Sequence, residues 1–236
     1  MKRIAGIISI LLVLGCIYYS FYSLMPRSGT PATVAETSFS TERALVPLKE
    51  ITKAPHFHGS EEHTRVREFL ISELKQLGLE THVQEDFNLN QWYGALVRPK
   101  NIVGVIKGSE QGKSLVLLSH YDSAKMPSFG ASDAGSGVVT ILESLRAYKA
   151  SGKTPKNDII VLFTDSEEIG LDGAENFVES SPLAENVGLV LNFEARGSGG
   201  PSNMILETNG GNANLVKAFI AANPDYPLAS SLTQSF

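Results

Sequence analysis

Apolar residues recur along this chain with two different periods, which separate predicted helices from predicted strands. The predicted helices cover residues 41–52, 60–78, 137–150, 174–179 and 212–223. The predicted strands cover residues 80–86, 101–106, 115–119, 158–164, 187–193 and 204–208. Apolar strands interspersed with amphipathic helices are typical of an α/β fold, so we expect a mixed, mostly parallel sheet covered by helices on both faces.

The first apolar segment is longer than any element of this fold requires. It runs from Ile4 to Met25 without a charged residue, and at 1.5 Å per residue it would span about 33 Å, enough to cross a bilayer core. We therefore predict an N-terminal transmembrane anchor over residues 1–27, with a cleaved signal or lipoprotein segment as the alternative. Lys2 and Arg3 precede the helix, which favours a cytoplasmic N-terminus and an extracytoplasmic domain.

The remaining chain reads as a linker and one domain. Residues 28–40 are rich in Ser, Thr, Pro and Ala, which is typical of a linker. Residues 41–236 then form the predicted α/β domain. A net charge of −5 argues against a nucleic-acid partner. Since Cys16 is the single cysteine, disulfides within the chain and cysteine-based zinc sites are excluded.

Polar residues collect where three predicted strands end. His120 and Asp122 follow the strand over 115–119, Glu167 and Glu168 follow 158–164, and Glu194 follows 187–193. In open α/β sheets, ligands bind outside the carboxyl ends of the strands. We therefore expect these side chains to face one common site.

A fourth acidic residue, Asp133, lies in a segment of small residues that leads into the helix at Gly137. Taken singly, each feature has a structural explanation: Asp133 could cap that helix, the Glu pair could lie in a solvated loop, and a lone histidine is often structural. Together they supply one imidazole and several carboxylates without a thiolate. That donor set suits catalytic zinc, cobalt or manganese, and one carboxylate could bridge two ions.

Three motifs in this order resemble the zinc aminopeptidases of peptidase family M28. They are His120-Tyr-Asp-Ser, Gly130-Ala-Ser-Asp-Ala-Gly-Ser-Gly-Val and Phe163-Thr-Asp-Ser-Glu-Glu-Ile-Gly. The upstream stretch Pro55-His-Phe-His-Gly-Ser is similar to the membrane-anchored branch, which includes vacuolar and endoplasmic-reticulum membrane proteases.

The resemblance implies two zinc ions held by four residues. His120 and Glu194 would bind the first zinc, Glu168 the second, and Asp133 would bridge the two. It also implies a cis peptide bond after Asp133, although Ala134 is not a proline.

Two further residues receive catalytic roles from the resemblance. Glu167 would be the general base that deprotonates the attacking water, and Asp122 would orient the His120 ring from behind. The implied activity is hydrolysis of peptides at a free N-terminus. Two alternatives remain open: glutaminyl cyclase-like acyl transfer on the same fold, and a membrane-tethered binding module without catalytic activity.

One departure from the family pattern concerns the second zinc. The family uses a final histidine far downstream, whereas no histidine follows His120 in this chain. The expectation is therefore a sequence that is incomplete at its C-terminus, with a family member that has lost the second metal as the alternative. The other four histidines are expected to be structural or surface residues: His56, His58, His63 and His82.

Overall fold

The computed structural model describes residues 2–25, 28–90, 93–126, 128–195, 204–205, 211–222 and 229–230. The described residues form six α-helices: α1 (Lys2–Leu24), α2 (Thr41–Ile51), α3 (Glu61–Gln76), α4 (Gly137–Ala150), α5 (Asp172–Ser180) and α6 (Ala213–Ala222). The same described residues also form nine strands: β1 (Glu80–Glu85), β2 (Asn88–Asn90), β3 (Ala95–Val97), β4 (Lys100–Ile106), β5 (Ser114–His120), β6 (Ile159–Thr164), β7 (Val187–Asn192), β8 (Met204–Ile205) and β9 (Ala229–Ser230). The predicted strand over 204–208 and helix over 212–223 extend beyond the described residues.

The central sheet has five strands in the order β1-β4-β6-β5-β7. β5 pairs in parallel with β6 on one side and β7 on the other. β4 pairs antiparallel with both β1 and β6, so it alone runs against the other four strands. The predicted mixed, mostly parallel sheet is confirmed, and the carboxyl ends of β5, β6 and β7 meet at one edge.

Successive side chains along the inner strands point to opposite faces of the sheet, so the hydrophobic core forms one cluster on each face. Val161 and Phe163 on β6 face the larger cluster, which is built with α2, α3 and α4. Ile160 and Leu162 face the opposite cluster, which includes Phe177 of α5. Because β6 is buried on both faces, its residues are apolar without alternation, and this continuous apolar run is the pattern from which the strand was predicted.

Truncating a side chain in the larger cluster is expected to destabilise the domain. Leu70 on α3 is fully buried, so Leu70→Ala should lower the free energy of unfolding by about 2–5 kcal/mol. Leu45 on α2 is 41% exposed, and Leu45→Ala should change it by less than about 0.5 kcal/mol. Urea unfolding of the detergent-solubilised chain measures the free energy of unfolding of both variants. An equal decrease in the two variants would contradict this assignment of the core.

Serine caps begin the two helices before the sheet. Ser60 Oγ accepts the His63 N–H at 3.1 Å and Ser40 Oγ accepts the Arg43 N–H at 3.2 Å. The predicted linker residues are hydrogen-bonded to these elements from Thr30 onward. The Arg43 guanidinium donates to the main-chain oxygens of Val34 and Ser38, and its Nε lies 3.0 Å from Glu143 on α4.

The described residues divide into two compact units, Gly29–Ser198 and Met1–Ser28 with Gly199–Phe236. The sheet and all of the candidate site residues belong to the first unit. In the second unit, α1 contains the stretch Ile4–Ser23, whose mean hydropathy is 2.2 over 20 residues and whose side chains are exposed. Length and composition therefore make α1 a candidate membrane span, as the sequence predicted.

Candidate active site

The site forms where β5, β6 and β7 end. His120 is the last residue of β5 and pairs with Thr164, the last residue of β6. Glu167 and Glu168 follow β6 after two intervening residues, and Glu194 follows β7 after a single intervening residue, Phe193. The strand ends thus bring residues from distant parts of the sequence to one edge of the sheet.

His120 lies at the centre of the acidic group. Its Nε2 atom is 2.9 Å from Asp133 Oδ1, 3.6 Å from Glu194 Oε1 and 3.9 Å from Glu167 Oε2. The His120 ring is buried, whereas half of the Asp133 side chain is exposed to solvent. The imidazole is therefore fixed in the fold, and the carboxylates around it are accessible from outside.

Asp122 connects the imidazole to the loop after β6. His120 Nδ1 lies 2.9 Å from the Asp122 main-chain oxygen and 3.4 Å from its carboxylate. The two carboxylate oxygens accept the backbone N–H groups of Glu167 and Glu168, each at 3.2 Å. The buried Asp122 thus orients the ring mainly through its main chain and positions the glutamate pair through its side chain.

Asp133 reaches His120 from a kinked turn over Ala131–Ser136, in which the backbone angles of Asp133 and Ala134 are not helical. The peptide bond from Asp133 to Ala134 is cis, as the family resemblance implied. The turn begins after Gly130, whose φ of 61° is left-handed and favours glycine. A Cβ on Gly130 would lie 2.9 Å from the ring of His56, which is buried. His56 therefore supports this turn as a packing residue.

The start of α4 packs directly on the end of β7. A side chain at Gly137 would collide with the Phe193 carbonyl oxygen, and the same oxygen accepts a hydrogen bond from Ser119 Oγ at 3.0 Å. This close approach brings the turn that carries Asp133 next to the residue that precedes Glu194. This close packing therefore requires glycine at position 137.

The charges in the site are unbalanced without a cation. Burial alone would lower the pKa of His120, but the carboxylates of Asp122, Asp133 and Glu194 raise it to about 12. Burial and the neighbouring Asp133 raise the pKa of Glu168 to about 7. Burial also raises the pKa of Glu167 above its ordinary value, whereas the imidazole of His120 lowers that of Asp133. A single imidazole therefore faces more carboxylates than it can neutralise.

The donor atoms fit a divalent metal ion. Among the described residues, His120, Asp133 and Glu168 offer ligand atoms that lie within 4.8 Å of one another, and so do His120, Glu167 and Glu194. An imidazole nitrogen with carboxylate oxygens is the donor chemistry of catalytic zinc. The structure brings together all the residues that the sequence singled out, including Asp122 behind the ring.

A second cluster of titratable side chains, His58, His63 and Asp165, was not predicted from the sequence. His58 and His63 were expected to be structural or surface residues, yet both lie against Asp165, which follows β6. The only signal in the sequence was the pair of histidines flanking the Ser60 cap. His82 is exposed on β1, in agreement with the expectation.

Comparisons with known proteins agree with this architecture. The model of peptidase family M28 matches residues 101–234. The vacuolar membrane protease of Yarrowia lipolytica is 31% identical over 94% of this chain and 24% of its own length. That of Candida dubliniensis is 34% identical over 79% of this chain and 20% of its own length. The chain therefore spans about a quarter or less of these relatives.

Two solved structures share the fold at low sequence identity. A Zn-dependent exopeptidase from Parabacteroides distasonis has a TM-score of 0.60 and 20% identity, over 83% of this chain and 78% of that one. Bacteroides thetaiotaomicron glutaminyl cyclase bound to N-acetylhistamine also has a TM-score of 0.60, with 19% identity over 82% and 77%. The family match covers more than half of the sequence and contains every candidate site residue. This chain belongs to peptidase family M28.

Proposed function

We propose that the chain is the catalytic part of a zinc-dependent peptidase that hydrolyses peptide bonds at a free N-terminus. The observation that carries this proposal is the convergence of His120 with Asp133, Glu168 and Glu194 at the strand ends. His120 and Glu194 would hold one zinc ion, Glu168 a second, and Asp133 both. When bound, zinc would polarise the scissile carbonyl and lower the pKa of the attacking water.

Glu167 is assigned as the general base. Its carboxylate lies at the rim of the site, and burial raises its pKa toward the range in which a proton acceptor works best. Glu167 would take a proton from the water as the water oxygen attacks the carbonyl carbon. When the carbon–nitrogen bond breaks, Glu167 would pass that proton to the leaving amine.

The surplus of carboxylates supports the preference for a free N-terminus. An N-terminal ammonium carries the positive charge that this acidic edge favours, whereas an acetylated N-terminus does not. Peptide substrates with a free amine are therefore the proposed partners. Peptides that differ only in N-terminal acetylation test this directly, because equal cleavage of both would overturn the aminopeptidase assignment.

Product analysis also separates hydrolysis from cyclisation. A peptide beginning with glutamine should release free glutamine if the chain is an aminopeptidase. Formation of N-terminal pyroglutamate would instead indicate the acyl transfer that glutaminyl cyclases perform. If neither product forms in the zinc-loaded, full-length protein, the chain is better explained as a membrane-tethered binding module.

Asp122 is proposed to position catalytic groups without touching the substrate. Replacement Asp122→Asn removes one of the two oxygens that hold the amides of Glu167 and Glu168. We expect kcat or zinc affinity to fall by about 10–100-fold, the usual effect of losing a group behind a metal ligand. Kinetics at saturating zinc separate the two effects, and wild-type values for both would refute this role.

The apolar helix α1 is proposed to anchor the enzyme in a membrane. Lys2 and Arg3 precede the span Ile4–Ser23, and this positive charge favours a cytoplasmic N-terminus with the catalytic unit on the opposite side. Protease protection of the catalytic unit in sealed vesicles tests this orientation, and digestion from the cytoplasmic face would contradict it.

A further inference from the structure

A second group of metal-ligating side chains lies beside the candidate active site. Asp165 Oδ1, directly after β6, is 2.9 Å from His58 Nδ1 and 3.0 Å from His63 Nε2. These three side chains share no ligand atom with the group around His120, and they connect the segment before α3 to the end of β6.

The contact of His63 with Asp165 is close without being a hydrogen bond. Within the part of the chain that the structure describes, His63 Nε2 is buried and has no hydrogen-bond partner, although Asp165 Oδ1 is 3.0 Å away. The ring nitrogen is thus near the oxygen, but its N–H does not point at it. A nitrogen and a carboxylate oxygen that lie side by side are arranged like two ligands of one ion.

The ligand positions are held by their surroundings. The His63 ring stacks on Tyr121, with 4.7 Å between centroids and 3° between planes. Tyr121 donates its hydroxyl hydrogen to the Lys100 carbonyl oxygen at 2.8 Å, and the Lys100 N–H donates to Asp165 Oδ2 at 2.8 Å. Asp165 Oδ1 faces the two histidines and also accepts the Ser166 hydroxyl at 3.2 Å. Packing and hydrogen bonds that fix the orientation of a side chain in this way are typical of metal ligands.

Charge and access also suit a cation. The Asp165 side chain is 1% exposed, so its carboxylate needs positive charge or hydrogen-bond donors beside it. His58 is 27% exposed, which leaves a route from solvent, and Ser166 Oγ lies 2.8 Å from His58 Nδ1 as an additional oxygen.

We propose that His58, His63 and Asp165 form a further divalent-metal site that binds zinc. Two imidazole nitrogens and a carboxylate oxygen make up a common zinc donor set. The ion would fasten the segment that carries His58 to the loop that carries Glu167 and Glu168. This proposal does not depend on the peptidase assignment, because it uses none of the residues placed in the active site.

Zinc counting in a variant without the active-site ligands tests the proposal. The full-length protein with His120→Ala and Asp133→Ala is loaded with zinc, dialysed, and analysed by mass spectrometry for metal per chain. We expect about one zinc per chain to remain, and His58→Ala added to this background should remove nearly all of it. The matched control is His82→Ala, which removes an exposed imidazole and should leave the zinc in place.

Two results would overturn the site: no zinc in the double variant, or equal zinc with and without His58. If the triple variant does not fold, X-ray absorption of the zinc-loaded double variant replaces it. That spectrum should show two imidazoles with Zn–N distances of about 2.0–2.1 Å. Fewer than two imidazoles would identify the cluster as a hydrogen-bonded His–Asp–His group instead.

Discussion

Replacement of Glu167 by glutamine is expected to lower kcat for peptide hydrolysis by about 10²–10⁴-fold while zinc stays bound. The substitution keeps the size of the side chain and removes its ability to accept a proton. Because the backbone N–H of Glu167 donates to the carboxylate of Asp122, the loop should keep its position. The measurement is kcat together with zinc per chain in the full-length protein, with circular dichroism to confirm folding.

The matched control is Glu179→Gln, which removes an exposed carboxylate from α5 beyond the site. It should leave kcat unchanged, since its side chain lies away from the strand ends. Undiminished activity in Glu167→Gln would refute the general-base assignment. Loss of zinc along with activity would instead place Glu167 among the metal ligands, as its grouping with His120 and Glu194 allows.

His120→Ala is expected to weaken zinc binding at the active site by at least about 100-fold and to abolish hydrolysis. Losing a partner behind a metal ligand already costs about 10–100-fold in affinity, so losing the ligand itself should cost no less. Among the described residues, His120 is also the one imidazole that lies within 4 Å of the Asp133 and Glu194 carboxylates. Competition with a chromophoric chelator measures the affinity.

The control for this variant is His82→Ala, at an exposed position on β1. It should match the unsubstituted protein in both zinc affinity and activity. Activity that survives His120→Ala at low zinc would show that the reaction does not use this imidazole. The metal centre around His120 would then lose its main support.

The central strands could be predicted because strands that are buried on both faces consist almost entirely of apolar residues. β6 is apolar on both faces, so its limits were apparent from Asp158 to Thr164, and α4 was located from Gly137 to Ala150. The hairpin of β2 and β3 was not predicted. Its strands have three residues each, too few for a period, and side chains hold it in place: Asn90 Nδ2 donates to Asp172 at 2.7 Å.

The location of the candidate site could be predicted from the polar residues at the strand ends, because parallel strands end at one edge of a sheet. His120, Glu167 and Glu194 were found in this way. The exact contacts could not be predicted. That Asp122 holds His120 mainly through its main-chain oxygen depends on the local path of the chain after β5. The cis peptide after Asp133 was foreseen only through the family resemblance.

The cluster of His58, His63 and Asp165 could not be predicted from the sequence. Asp165 is separated from His58 by 107 positions, and no periodicity relates them. The two histidines flank a helix cap, which gives each a structural explanation when read locally. Only the packing of α3 against the sheet brings them to the end of β6. Sites assembled between distant segments leave little trace in a single sequence.

The most direct test of a zinc centre at the strand ends is a crystal of the zinc-loaded protein measured at the zinc absorption edge. We expect an anomalous peak about 2.0–2.2 Å from both His120 Nε2 and a carboxylate oxygen of Asp133. A well-ordered site in which His120 still contacts Asp133 directly, with zinc density elsewhere or nowhere, would contradict it.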